Sequence, residues 1–238
     1  MGKGAQMHDP VKDKLIVALD LPTADAARKL VDTLGNTVSF YKIGLELLFS
    51  GGLDLARELK ARDKRVFLDM KLLDIGNTVE RAVATAATLG LDFLTIHGHD
   101  TKTLKAAVKG RGSASLKLLA VTVLTSIDAH DLAEQGTTLT PADLVLKRAK
   151  LARDAGFDGV IASGQEAGKV RAATGPNFLI VTPGIRLPGG EAGDQTRVTT
   201  PEDALRAGAN HLVVGRPINA AANPKDAAEQ FLAHITKA

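Results

Sequence analysis

Apolar and polar positions alternate in blocks along this chain. Short runs rich in Val, Ile, Leu and Phe fall at residues 15–19, 38–43, 66–68, 93–96, 118–124, 159–162, 178–181 and 212–214. Each has the length of a strand, and an unbroken apolar run is what burial on both faces requires. The longer stretches between them carry helical spacing, as at Ala26, Leu30, Val31 and Leu34, or at Val79, Val83, Ala86 and Leu89. Gly35, Gly90 and Gly156 stand where such helices would end. Eight strand–helix units with no linker and no shift in composition predict an α/β fold, a closed (β/α)8 TIM barrel forming a single domain over 14–238. Residues 1–13 read as a flexible lead.

Composition agrees with one barrel of 238 residues. Aromatic residues make up only 3% of the chain, so Ala, Val, Leu and Ile must fill most of the interior. The net charge is +3, but its lysines and arginines are scattered and no basic run is interleaved with aromatics, which argues against a nucleic-acid partner. A mildly positive balance suits small phosphorylated substrates. With no cysteine, disulfides and Cys-ligated metals are excluded. No run approaches the roughly 18 apolar residues of a membrane span, and the N-terminus lacks the apolar core of a signal peptide. The expected location is the cytoplasm.

In a barrel of this kind chemistry sits on the loops past the strands' C-terminal ends. The polar residues there are Asp20 after the first run, Lys42 in the second, Asp69 and Lys71 after the third, and Thr125 and Ser126 after the fifth. Arg186 follows the seventh, and Gly215 and Arg216 follow the eighth. Asp69 and Lys71 are two apart, so on a strand they face the same way with roughly 7 Å between their Cα atoms. Asp74 completes a DxKxxD spacing from a loop, and its partner is expected in another subunit. Lys42 and Lys71 each need a carboxylate, since an unpaired buried ammonium is costly. Two separate structural salt bridges would meet that need. The common barrel face of Asp20, Lys42, Asp69 and Lys71 favours one alternating array.

Gly215 and Arg216, with Gly184, fit the phosphate site expected after strands seven and eight. The Gly- and Pro-rich stretch 183–201 reads either as a lid or as a bare loop. His97 and His99 lack a third metal ligand at a recognisable spacing, and His97 reads as a packed strand-end residue. Glu46, Asp92 and Asp100 read as solvated or capping charges.

The motifs VALDLP from Val17, FYKIGLELL, FLDMKLLDIGNTV, VTVLTS, TPGIR, DQTRV and VVGRPI together resemble the bacterial orotidine 5′-phosphate decarboxylases over roughly residues 14–236. The resemblance implies cofactor-independent and metal-independent loss of CO2 from orotidine 5′-phosphate to give UMP, in de novo pyrimidine synthesis. It implies that Lys71 protonates C6, that Asp69 lies beside the substrate carboxylate, and that Lys42 and Asp20 hold ribose hydroxyls. It further implies a homodimer in which Asp74 and Thr78 cross the interface. Thr125 and Ser126 would face the pyrimidine, while Arg186, Gln195, Gly215 and Arg216 serve the phosphate and a closed lid. The sequence IHGHD after the fourth run departs from the family's usual residues following the histidine.

Sugar-phosphate decarboxylases and aldolases of the same superfamily share DxKxxD but use a magnesium ion held partly by a strand-two carboxylate. Here that strand carries Lys42, a poor Mg2+ ligand. A silent nucleotide-binding module would need only the phosphate residues, and the four-charge set argues against it.

Overall fold

The structure is a computed structural model that describes residues 9–190 and 197–238. Eight parallel strands close in sequence order into a barrel. They are β1 (Leu15–Ala18), β2 (Phe40–Ile43), β3 (Arg65–Leu72), β4 (Phe93–His97), β5 (Lys117–Val121), β6 (Gly159–Ile161), β7 (Leu179–Thr182) and β8 (His211–Val214). The last strand pairs with the first, Leu15 opposite Leu212 and Val17 opposite Val214.

Local signals set the helix ends. Helix Ala24–Leu34 begins where the Thr23 hydroxyl accepts from the Ala26 N–H, and stops at Gly35, whose φ of 53° suits a residue without Cβ. Its buried face is Ala27, Leu30, Val31 and Leu34, one residue on from the expected Ala26 at its start. Helix Gly76–Ala87 buries Val79, Val83 and Ala86. These faces join the outward-pointing strand residues in one aliphatic layer between sheet and helices.

The opposite strand face fills the barrel. Ile16, Ala18, Phe40, Phe67, Phe93, Leu119, Val181 and Val213 form a second buried cluster. Three phenylalanines meet here: Phe93 packs against Phe40 and Phe67 edge to face, at centroid distances of 5.0 and 5.9 Å. At the N-terminal end the Arg65 guanidinium lies 4.1 Å over the Phe40 ring, and His211 packs edge-on against Phe40 and Phe93. The His211 Nδ1 donates to the Asp13 carbonyl oxygen at 2.8 Å. Asp13 belongs to a 3-10 turn, Lys12–Lys14, so the described part of the lead packs under the barrel.

The same end is tied by a repeated device. Asp92, just before β4, accepts from the Val66 N–H at 2.8 Å and from Lys60 Nζ at 2.7 Å. Asp158, before β6, accepts from the Leu118 N–H and Lys117 Nζ, each at 2.9 Å. Asn210, before β8, accepts through Oδ1 from the Ile180 N–H at 2.8 Å and Arg171 Nη2 at 2.7 Å. Each side chain takes the N–H of the second residue of the preceding strand together with a nearby cation, from a helix for Asp92 and Asn210 and from β5 itself for Asp158. Asp92 is therefore a structural bracket rather than a solvated charge, because the turn into β4 points its carboxylate at an open strand N–H.

Burial pushes the His211 imidazole down to about 4 from an ordinary 6.5, against the opposing hydrogen bond to Asp13. The charged ring is disfavoured in the fold, so between these values the unfolded chain binds the extra proton. This contribution is fully present above about pH 6.5 and is lost as pH falls toward 4, up to about 3 kcal/mol. Urea unfolding measured at steps of pH across this window should show the slope, and His211→Gln should make it shallower.

Candidate active site

Past the C-terminal strand ends lies a cavity of about 470 Å3. Of the residues expected there, Asp20, Lys42, Asp69, Lys71, Thr125, Ser126, Arg186, Gly215 and Arg216 all line it. Asp74 and Thr78 do not. Both are exposed, and Asp74 accepts through Oδ1 from the Ile75 N–H at 2.6 Å, on the loop after β3. Gln195 lies outside the described residues.

The charges form a continuous chain. Lys42 Nζ is 2.9 Å from Asp20 Oδ1 and 3.4 Å from Asp69 Oδ2, and Lys71 Nζ is 2.8 Å from that same Oδ2. The expected alternation is present as Asp20, Lys42, Asp69, Lys71, with Asp74 outside it. Lys42 and Asp69 are buried, whereas Asp20 is half exposed at the rim. Burial works to raise the Asp69 carboxyl, but the charges of Lys42 and Lys71 outweigh it and hold the group below the ordinary carboxylate value. For Lys42 burial works downward, and Asp69 and Asp20 carry the ammonium above its ordinary value instead. Both partners are thus held ionised.

The local backbone makes this possible. Strand β3 runs past the apolar stretch to Leu72, so Asp69 and Lys71 lie at its end as expected. Leu68 pairs with Leu94 and Leu72 with Ile96, so three β3 residues bulge opposite the single residue Thr95. Lys71 has a φ of 49°, rare for a residue with a Cβ. At Gly44 an added Cβ would lie 2.9 Å from Asp20 Oδ1 and 3.1 Å from Lys42 Nζ, so the ion pair needs glycine beside it. Neither Thr95 nor Gly44 stands out in the sequence as more than a strand residue and a strand-ending glycine.

Across the cavity, burial lowers the Arg186 guanidinium, and the nearby Arg216 charge lowers it further. Two cations this close favour a dianion such as phosphate between or beside them. At position 215 an added Cβ would meet only ordinary contacts, with Ala18 and Asp20. The stem of the loop after β7 is closed by a bridge between Ile185 and Thr199, with the Arg186 N–H donating to the Thr199 carbonyl at 3.0 Å. Arg197, which the sequence left without a role, pairs with buried Glu166 at 2.7 Å and donates to the Leu124 carbonyl at 2.8 Å. The described part of 183–201 is therefore anchored at its stem.

His97 does not line the cavity. Its ring lies 4.8 Å from that of His99 at a 45° tilt, and burial, then the charges of His99 and Arg148, push it down to about 4, so it is neutral at pH 7. Glu46 and Asp100 also lie outside the lining, and Asp100 caps helix Thr101–Arg111.

The array predicts an asymmetry between its two downstream acids. Asp69→Ala leaves the buried Lys42 with only the half-exposed Asp20 as its counter-ion and removes the carboxylate between it and Lys71, and should lower the unfolding free energy by about 3 kcal/mol. Asp74→Ala should change it by no more than about 0.5 kcal/mol, as for other exposed positions. Parallel urea melts compare the two.

The profile of the orotidine 5′-phosphate decarboxylase / HUMPS family matches residues 13–231. A protein of Methylobacterium radiotolerans named orotidine 5′-phosphate decarboxylase is 55% identical over 230 residues, covering 97% of this chain and 99% of its own. One of the same name from Rhodopseudomonas palustris is 51% identical, covering 98% and 99%. The crystal structure of orotidine 5′-phosphate decarboxylase from Lactobacillus acidophilus superposes with a TM-score of 0.82 at 39% identity, over 93% of this chain and 98% of that one. With the closed barrel and a family model that spans nearly its whole length, the chain belongs to the orotidine 5′-phosphate decarboxylase / HUMPS family.

Proposed function

We propose that this chain converts orotidine 5′-phosphate to UMP and CO2 without cofactor or metal, in de novo pyrimidine synthesis in the cytoplasm. The observation that carries this reading is the charge chain ending at Lys71 in the same cavity as Arg186 and Arg216. Arg186 and Arg216, with Gly215 and Gln195, hold the phosphate. Asp20 and Lys42 take the ribose hydroxyls, and Thr125 and Ser126 face the pyrimidine. That placement sets the substrate carboxylate beside Asp69 and C6 beside Lys71.

In the reaction the C6–carboxylate bond breaks, its electron pair stays on C6, and CO2 leaves. The Lys71 ammonium then gives its proton to C6 and becomes a neutral amine, which recovers a proton from solvent. A carbanion on an sp2 ring carbon has no adjacent electron sink, so charges fixed in advance must stabilise it. Lys71 can be such a charge because Asp69 holds its ammonium at 2.8 Å before substrate arrives. The largest enzymatic accelerations, on the order of 10¹⁷, correspond to about 23 kcal/mol, more than any one contact supplies. Binding of the remote phosphate must contribute to organising the reacting end.

A homodimer belongs to the same proposal. Leu45, Phe49, Leu53, Leu73 and Ile75 are exposed, Phe49 at 87% and Ile75 at 72%, on the segments that follow the adjacent strands β2 and β3. Asp74 lies among them on the loop after β3. Pairing this face with a second copy buries the apolar side chains and carries Asp74 and Thr78 to the neighbour's cavity. Among the described residues no helix is long and apolar enough to cross a membrane.

EDTA-treated protein mixed with orotidine 5′-phosphate should show the ultraviolet change from orotate ring to uracil ring. Conversion that disappears with chelator would instead indicate metal-dependent sugar-phosphate chemistry. Lys71→Ala should keep the fold and lose turnover by about 10²-fold to 10⁴-fold or more. Lys71→Ala and Asp74→Ala chains mixed under verified subunit exchange should regain activity, because one mixed site then holds both residues; no recovery removes the shared site.

A further inference from the structure

Thr95 is fully buried on β4, facing the bulge of β3, and its hydroxyl touches two residues of the charge chain. The Lys71 backbone N–H donates to Thr95 Oγ1 at 2.9 Å, and Thr95 Oγ1 donates to Asp69 Oδ1 at 2.9 Å. These directions are fixed by chemistry. An amide N–H can only donate, an ionised carboxylate can only accept, and a hydroxyl does one of each here. Asp69 Oδ2 in turn meets Lys71 Nζ at 2.8 Å, so the contacts close into a ring: Lys71 N–H, Thr95 hydroxyl, Asp69 carboxylate, Lys71 ammonium.

We propose that Thr95 is the positioning residue of this site, holding the Lys71 backbone in its left-handed turn and the Asp69 carboxylate in one rotamer so that the ammonium is fixed at the reacting carbon. The inference deepens the decarboxylase reading and rests on it.

Two features of the backbone make the hydroxyl necessary. Opposite Asp69, Met70 and Lys71 the neighbouring strand offers only Thr95, so the ordinary ladder partner of the Lys71 N–H is missing. A φ of 49° is disfavoured for a lysine, and such a conformation persists only where its surroundings hold it. A valine at 95 would fill the same volume, satisfy neither group and leave the partly buried Lys71 N–H without this partner. Asp69 would keep its two lysines and lose the anchor on its other oxygen. When Lys71 gives up its proton, that anchor is one of the contacts that keep Asp69 from turning.

Thr95 therefore acts on the chemical step rather than on the remote grip of phosphate. The test compares wild type, Thr95→Val and Thr95→Ser for kcat and KM on orotidine 5′-phosphate, together with UMP affinity and thermal unfolding. Wild-type turnover first checks the decarboxylase reading by itself, and its absence sinks that reading, whatever the variants do. Given turnover, Thr95→Val should lose roughly 10- to 100-fold in kcat, the scale of a lost hydrogen bond to a charged group, with UMP affinity within about threefold. Thr95→Ser should stay within about threefold of wild type in kcat. The proposal is overturned by an unchanged kcat in Thr95→Val, by a loss confined to KM and UMP affinity, or by a serine variant as impaired as the valine one. A Thr95→Val chain that does not fold, when Thr95→Ala also does not, assigns the hydroxyl to stability alone and overturns it equally.

Discussion

Asp69 sits with one carboxylate oxygen between two ammonium groups in a wall from which water is largely removed, and the upper half of the barrel is arranged around that contact. Two unit charges about 4 Å apart interact by about 4 kcal/mol at an effective dielectric of 20, several times their value in water. Lys42, buried there, could not be kept charged without a counter-ion. Together with Asp20 the chain carries two cations and two anions, so it is neutral as a set and stable with no ligand bound. The cost appears in the backbone instead, as a bulge and a left-handed lysine in β3 and as a glycine where Asp20 and Lys42 leave no room for a side chain.

The two ends of the barrel divide the work. At the N-terminal end, rings meet edge to face, Arg65 lies over Phe40, and Asp92, Asp158 and Asn210 each tie a strand start to a nearby cation. Those contacts are local in type and repeat around the barrel. At the C-terminal end nothing repeats, because each loop contributes a different charge to one cavity. A rigid floor is what lets the irregular rim hold groups at fixed distances.

Much of this could be read from the chain alone, and the exceptions share a cause. Eight strands were legible because burial on both faces leaves unbroken apolar runs, and the rim residues because each polar group follows such a run directly. The apolar run of β3 ends at Leu68, and Asp69 and Lys71 were legible as its strand-end residues, but the bulge that the strand makes through them was not. Thr95 was invisible since threonine is an ordinary strand residue, and only the bulge opposite gives its hydroxyl two partners. Arg197 carries no sign of its role in the sequence, for its partners Leu124 and Glu166 belong to other units of the barrel. Periodicity reports which face is buried; it does not report contacts made between loops far apart in the chain.

Closure of the sheet is what turns two separate sets of charges into one site. In an open sheet β8 would be an edge far from β1, and Arg216 would be remote from Asp20. Here β8 lies against β1, and a Cβ at Gly215 would be only 3.8 Å from Asp20 Oδ2. The wall therefore runs without a break from the arginines after β7 and β8, through Asp20 and Lys42, to Asp69 and Lys71. A phosphorylated ligand held at one end of that wall must lay the rest of itself along the charges at the other. Arg197 adds a second connection, from the stem after β7 to the Leu124 carbonyl next to Thr125. In the reading proposed above, grip on the phosphate and alignment of the ring are then linked by both routes, which is how binding energy far from the reacting carbon can be expressed in the transition state.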